Sequence, residues 1–201
     1  MSEAKLILAS KSRARRTVLE NAGVIFEWRD AGVDEEIIKT QAVRSAMPPE
    51  DLARALAEAK AGAVAEQEKP DALVIGCDQV LALDGHLFDK PATLDDARAH
   101  LRAFSGRAHR LISAVCLAQS NGVVWSHVAV AEMHVRDLSD DFIDGYLADE
   151  GEQILTSVGA YLLERRGVQL FEKIDGDYFT VLGLPLLPLL EELRKRGILP
   201  A

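Results

Sequence analysis

The stretch Leu73-Val-Ile-Gly-Cys-Asp78-Gln79-Val-Leu-Ala-Leu-Asp84-Gly85 constrains this chain more than any other part of it. Leu73, Val74 and Ile75 form a short apolar run after a polar, helix-like segment and read as a buried strand. Gly76 closes that run, and Asp78 stands just beyond it. In open α/β sheets, ligands bind in the crevice past the carboxyl ends of strands, so an acid placed there is a candidate functional group. Val80 to Leu83 read as a second short strand, and Asp84-Gly85 is a hairpin turn signal. A chain that folds back at this turn returns Lys90 toward Asp78. A carboxylate and a lysine meeting at a sheet edge suit phosphate chemistry: the acid holds a metal or activates water, and the lysine neutralises oxyanions. The same residues also fit a solvated turn with an incidental ion pair.

A chain of 201 residues is read as a single domain, 1–201, organised as two lobes sharing one cleft. With 48% hydrophobic and 27% charged residues it buries a core and is not disordered. Its formal net charge of -9, from 32 acidic against 23 basic residues, argues against a nucleic-acid-binding protein. A local basic pocket for a small polyanion remains compatible with it. Cys77 and Cys116 lie far apart without metal spacing, which suits a reduced, cytoplasmic compartment. The apolar run Leu6-Ile-Leu-Ala9 is too short for a signal peptide, and no stretch reaches the length of a membrane span.

In chain order, Leu6 to Ala9 read as a first buried strand. Ser10 or Ser12 then caps a helix whose first turn is rich in cations (Arg13, Arg15, Arg16), with Val18, Leu19 and Ala22 at helical spacing and Gly23 as a stop. Cations oppose the positive dipole end of a helix, so this cluster hints at an anion arriving from outside; a capped helix with a solvated basic turn is the plainer alternative. Phe26 to Arg29 suggest a short strand, and Asp34-Glu35-Glu36 a solvated loop or helix start. Pro48-Pro49-Glu50 opens an amphipathic helix through Val64, with Lys60 on or near its apolar face, where a lysine either snorkels to water or points into a cleft. Thr93 caps a further helix closed by Ser105-Gly106. Leu111 to Ala118 and Val123 to Val135 read as long strands joined by Ser120-Asn121-Gly122. Ser139 caps a short helix, Val168 to Ile174 form a strand, and a last helix follows Pro185 and ends near Gly197. These elements make an α/β fold with a mixed sheet flanked by helices. No Walker loop, dinucleotide fingerprint, nucleophile elbow or zinc signature is present.

Taken together and in order, the segments Leu8-Ala-Ser10-x-Ser12-x-x-Arg15-Arg16, Val33-Asp34-Glu35, Lys60-Ala61, Gly76-x-Asp78, Asp89-Lys90-Pro91, Leu101-x-x-Phe104-Ser105-Gly106-Arg107-x-His109, Gly159-Ala-Tyr161, and Asp175-Gly-Asp177-Tyr178 with Val181-x-Gly183-Leu184-Pro185-Leu186 resemble the Maf proteins. Each piece is weak alone, but the ordered set is specific and covers nearly the whole chain. The resemblance implies a Maf/ITPase-like fold, a twisted mixed sheet with a central cleft between two lobes. It implies a cytoplasmic nucleoside triphosphate pyrophosphatase that clears non-canonical nucleotides, works with a divalent metal (Mg²⁺ or Mn²⁺) and forms a homodimer, with neither membrane nor nucleic acid as partner. By position, Asp78, Glu35 and Lys90 look like the catalytic residues, with Asp78 and Glu35 also at the metal. Ser10, Ser12, Arg15, Arg16 and Lys60 look like the substrate-binding set.

Three positions are implied to track base preference. Ala14, Gln79 and Glu164 stand where the dTTP/UTP-preferring group carries Arg, Thr and Gln. Gln79 and Glu164 look like the 7-methyl-GTP-preferring group, in which a carboxylate meets a cationic guanine. Ala14 departs from both patterns, because the second group carries an aromatic residue there, and base stacking contributes on the order of 1–3 kcal/mol. Asp89 is a further departure, adding negative charge beside Lys90. The alternatives are a dTTP/UTP-preferring pyrophosphatase, a non-catalytic nucleotide-binding regulator of cell division that keeps the pocket and loses the acid, and an RNA-handling protein, which the acidic balance disfavours.

Overall fold

A computed structural model of the chain describes residues 5–200; the outermost residues of the expected domain, 1–4 and 201, lie outside the described residues. The strands are β1 (Leu6–Ala9), β2 (Glu27–Arg29), β3 (Leu73–Leu83), β4 (His86–Phe88), β5 (Ala108–Gln119), β6 (Gly122–Val135) and β7 (Phe171–Asp175). The helices are α1 (Arg13–Asn21), α2 (Glu35–Arg44), α3 (Pro49–Ala65), α4 (Leu94–Phe104), α5 (Asp140–Glu150), α6 (Tyr178–Val181) and α7 (Leu186–Lys195), with two 3₁₀ turns at Gly151–Thr156 and Arg166–Leu170. The strands form one open seven-stranded sheet in the order β2-β1-β3-β5-β6-β7, with β4 pairing β3 off that path. β1 runs parallel to both β2 and β3, whereas β3–β4 and β6–β7 are antiparallel, so the sheet is mixed as expected.

By its contacts the chain divides into two compact units: Met1–Gln79 with Ile112–Ala129 and Tyr178–Ala201, and Val80–Leu111 with Val130–Asp177. In the first unit the sheet is covered on both faces. Leu6, Leu8, Leu73, Ile75 and Cys77 join Val18 and Leu19 of α1 and Leu186, Leu189 and Leu193 of α7 in one buried cluster. Because side chains alternate along a strand, Gly76 and Asp78 face the other side, where α3 lies. β3 is accordingly buried along almost its whole length, as a central strand covered on two faces must be.

In the second unit, Leu83 and His86 pair across a two-residue turn in which Asp84 and Gly85 both have positive φ, the combination a primed hairpin turn requires. Thr93 closes a full capping box on α4 with Asp96. His109 and Tyr161 are buried and hydrogen-bonded at 2.7 Å. The Glu150 carboxylate, likewise buried, accepts from Arg165 Nε at 2.8 Å, and Arg165 also reaches Gln153 at 2.7 Å.

Two readings of the sequence are corrected. Leu73–Ile75 and Val80–Leu83 are not separate strands: β3 runs unbroken through Gly76, Cys77 and Asp78. Gly76 does not stop the strand, because its missing side chain serves a packing need rather than a turn. A Cβ there would collide with the Ala57 carbonyl and lie 2.7 Å from the Ala61 Cβ on α3. The strand expected from Val168 starts only at Phe171, since Arg166–Leu170 winds into a 3₁₀ turn, and the four-residue helix α6 was not anticipated. Among the described residues no helix is long and apolar enough to cross a membrane. Both cysteines are free and buried, and burial pushes the Cys116 thiol up to about 12.

Candidate active site

The first unit assembles two polar groups from elements distant in sequence. One is built on α3. Gly76 lets that helix approach β3 at the level of Ala57 and Ala61, which brings Lys60 against Asp78 two residues further along the strand. The Lys60 ammonium is hydrogen-bonded to Asp78 and lies 2.7 Å from a carboxylate oxygen of Glu35, the first residue of α2. The lysine therefore neither snorkels to bulk water nor packs idly. Its side chain is 13% exposed and that of Asp78 9%, so each charge needs the other. Asp34 caps α2 by accepting from the Glu36 N–H, so the acidic cluster read as a loop or helix start is a helix start that aims Glu35 at Lys60.

The other group is built on the start of α1. Ser12 is its N-cap and accepts from the Arg15 N–H at 3.4 Å; Ser10, itself buried, accepts from the Ser12 N–H at 3.2 Å and from Arg15 Nη1 at 3.5 Å. No acidic residue occupies the first turn of this helix, so its dipole is not satisfied in the usual way. Arg15 reaches back over the sheet. Its Nε donates to the Gly183 carbonyl at 2.8 Å and its Nη1 to the Cys77 carbonyl at 3.0 Å. That second bond lands on the peptide joining Cys77 to Asp78, which places the guanidinium beside the acid. The two groups thus meet at β3 beyond Ile75, the last residue paired with β1, where the crevice of a parallel sheet opens.

Other expected site residues have settings of their own. Arg16 turns to the Trp28 ring, 4.5 Å from its centroid, a cation–π contact away from Ser10. Ala14 is half-buried on α1. Gln79 is half-buried, and its amide nitrogen donates to Ser113 Oγ at 2.9 Å and to the carbonyls of Thr180 and Val181 at 3.0 and 3.1 Å. Carbonyls only accept, so the amide orientation is determined and only the Gln79 oxygen remains for another donor. Lys90 and Glu164 are exposed and belong to the second unit. The Phe104-Ser105-Gly106-Arg107-x-His109 segment serves architecture: Ser105 accepts from the Leu138 N–H at 2.8 Å, Arg107 pairs with Asp84, and His109 is buried against Tyr161.

Gly76, Ser113, Thr180 and Gly183 were not singled out from the sequence as contributors to the site. Gly76 and Gly183 did leave a signal, each a glycine set between apolar neighbours inside one of the ordered motif segments.

The arrangement suits phosphate chemistry. Two carboxylates, Asp78 and Glu35, are both within reach of the Lys60 ammonium. That donor set fits a hard divalent cation, which takes one or two carboxylates and completes its shell with phosphate oxygens and water. Among the described residues no third acidic, His or Cys side chain joins them.

Comparison with known proteins agrees with this chemistry. A family model described as "Maf-like protein" matches residues 5–196. The chain is 54% identical over 196 residues to the 7-methyl-GTP pyrophosphatase of Rhizobium meliloti (strain 1021), covering 98% of each. It is 52% identical over 191 residues to the 7-methyl-GTP pyrophosphatase of Brucella suis biovar 1 (strain 1330), covering 95% of this chain and 96% of the other. With the nucleoside triphosphate pyrophosphatase of Caulobacter vibrioides it shares 49% over 199 residues, 99% of each. A match of this extent, carried by a chain whose Ser10, Arg15, Glu35, Lys60 and Asp78 converge in space, places the protein in the Maf-like family.

Proposed function

We propose that the chain is a nucleoside triphosphate pyrophosphatase, which hydrolyses the α–β bond of its substrate to a nucleoside monophosphate and pyrophosphate. The observation that carries this reading is the Glu35–Lys60–Asp78 group adjoining the Arg15 guanidinium. Phosphoryl transfer asks mainly for positioning and charge neutralisation, and these residues provide both. Asp78 orients a water for in-line attack at the α-phosphorus and accepts its proton as the new P–O bond forms. The bond to the bridging oxygen breaks, and pyrophosphate leaves with the electron pair. Arg15, Lys60 and Lys90 neutralise the phosphate oxygens, and Ser10 and Ser12 shape the anion site at the start of α1. A divalent cation, Mg²⁺ or Mn²⁺, would be held by Asp78 and Glu35 and would supply further neutralisation of the phosphate charge.

The preferred substrate in this reading is 7-methyl-GTP or a related modified purine triphosphate. The names of the similar proteins from Rhizobium and Brucella support it, as does Gln79, whose available oxygen accepts from a base N–H. The work is clearance of modified nucleotides by a cytoplasmic homodimer. A dTTP/UTP preference and a purely regulatory role draw no support from those names, and the acid that a regulator could dispense with is present.

The test is pyrophosphate release with Mg²⁺ or Mn²⁺ from 7-methyl-GTP, GTP, dTTP, UTP and CTP, with Asp78→Asn as the blank. Turnover is expected to be highest on 7-methyl-GTP and absent in the variant. Near-normal turnover by Asp78→Asn would sink the assignment.

A further inference from the structure

We propose that Gly183 is a positioning residue that seats the Arg15 guanidinium and so sets how the chain grips the phosphates of its substrate. This rests on the reading above that Arg15 meets the triphosphate. Three independent features of Gly183 converge on the arginine. Its carbonyl accepts from Arg15 Nε at 2.8 Å. Its φ of +85° turns the backbone into a conformation L side chains rarely adopt. A Cβ built there would stand 3.2 Å from both Nε and Nη2 of Arg15, closer than an ordinary van der Waals contact.

Gly183 is itself held from behind. Its N–H donates to the Thr180 carbonyl at 3.0 Å, and that oxygen also accepts from Ser113 Oγ at 2.8 Å and from the Gln79 amide at 3.0 Å. Ser113 and Thr180 are fully buried, so the turn after α6 is a stiff bracket between the sheet and the arginine. With Nε committed to Gly183 and Nη1 to Cys77 and Ser10, the guanidinium is fixed on two sides. Among the described residues nothing accepts from Nη2, which is left as the corner offered to an oxyanion. A rigid fork with one open corner binds phosphate without first losing rotamer freedom.

The experiment is steady-state kinetics on 7-methyl-GTP, with product inhibition by pyrophosphate, for Arg15→Ala, Gly183→Ala, Gly183→Asn and Arg15→Ala/Gly183→Ala. Asn tolerates positive φ, so it keeps the turn while still adding a Cβ. Both Gly183 variants are expected to raise KM and weaken pyrophosphate inhibition on the order of tenfold, the scale of one charge-assisted hydrogen bond, with kcat within about twofold. On the Arg15→Ala background, Gly183→Ala is expected to add no further KM loss, because the group it positions is gone. Losses that add on that background, or an unchanged KM in Gly183→Asn while Arg15→Ala raises it, would overturn the proposal and leave Arg15 in its role. An Arg15→Ala enzyme with unchanged KM would overturn the Arg15 reading itself, and this inference with it.

Discussion

Both units of the molecule bury charged and polar side chains, but they settle them differently. In the second unit the buried charge is paired one to one, although Nδ1 of His100 and Nδ1 of His109 are buried without a hydrogen-bond partner. Glu150 meets Arg165, Arg165 meets Gln153, and His109 meets Tyr161, each within its own few elements. In the first unit the charge is shared among several groups. Asp78 and Glu35 both reach Lys60, Arg15 keeps a corner of its fork, and Gln79 keeps its oxygen. Buried charges paired one to one hold a fold together, whereas charges that share a partner or keep a donor in reserve suit a charged ligand. The difference separates a site from a framework more sharply than burial does, because Asp78 and Glu150 are almost equally buried at 6% and 3%.

The sharpest way to break this comparison is to neutralise one acid in each unit. Asp78→Asn is expected to lower kcat by roughly 10²–10⁴-fold, the contribution of a positioned general base, and also to lower the thermal midpoint, because Lys60 loses its buried partner. Glu150→Gln is expected to leave kcat within about twofold and to lower the midpoint. Assay and melting curve on both variants read the two outcomes, and a large kcat loss in Glu150→Gln would end the distinction.

Gly76→Ala probes how the shared group is built. The added methyl has no room against Ala57 and Ala61, so α3 must shift and carry Lys60 with it. Overpacking of this kind costs typically about 1–3 kcal/mol. Urea melts should show that loss, and turnover should fall by more than the unfolded fraction explains, since Lys60 no longer meets Asp78 squarely.

Arg165→Ala probes the paired group from its cationic side. Removing one partner of a fully buried pair costs about 3–5 kcal/mol. The Arg165 side chain is 44% exposed, so about 2 kcal/mol is expected here, with KM unchanged.

The smallest effect concerns pH. Burial holds the His109 imidazole at about 3, well below its ordinary value of 6.5. Above 6.5 the ring is neutral folded or unfolded, and this contribution to stability is fully present. As pH falls from 6.5 toward 3 the unfolded chain takes up a proton that the folded chain refuses, so stability declines. The slope is about 1.4 kcal/mol per pH unit, or about 2 kcal/mol by pH 5. Urea melts at pH 7, 6 and 5 measure it, and His109→Gln, which carries no titrating ring, should flatten that part of the dependence.

Much of this was legible in the sequence. Ser10 or Ser12 announces the N-terminus of α1, where Ser12 is the cap, Thr93 that of α4 and Ser139 that of α5, because capping is a contact between residues two or three apart. The Asp84-Gly85 hairpin was legible for the same reason. Asp78 stood out as an acid after an apolar run, and the ordered motifs named its partners. What misled was Gly76, which reads as a stop when only its chain neighbours are known. Its use is a contact with α3, and no local pattern reports a helix passing overhead. Gln79 likewise looked like a side chain for substrate, yet its nitrogen is spent on Ser113, Thr180 and Val181, two of which lie about a hundred residues away.

The sequence by itself determined most of the order of strands and helices, the identity of the acids and bases, and the family, because propensity, capping and ordered motifs are properties of neighbouring residues or of order along the chain. Only the tertiary structure decided which charges share a partner and which donors are already used. Lys60 could serve substrate or structure until Glu35 and Asp78 were found on either side of it. Arg15 likewise could be a whole fork or a single corner until Cys77 and Gly183 were found at its edges. Hydrogen-bonding capacity is spent through space, at about 3 Å, between atoms that chain order leaves unconnected.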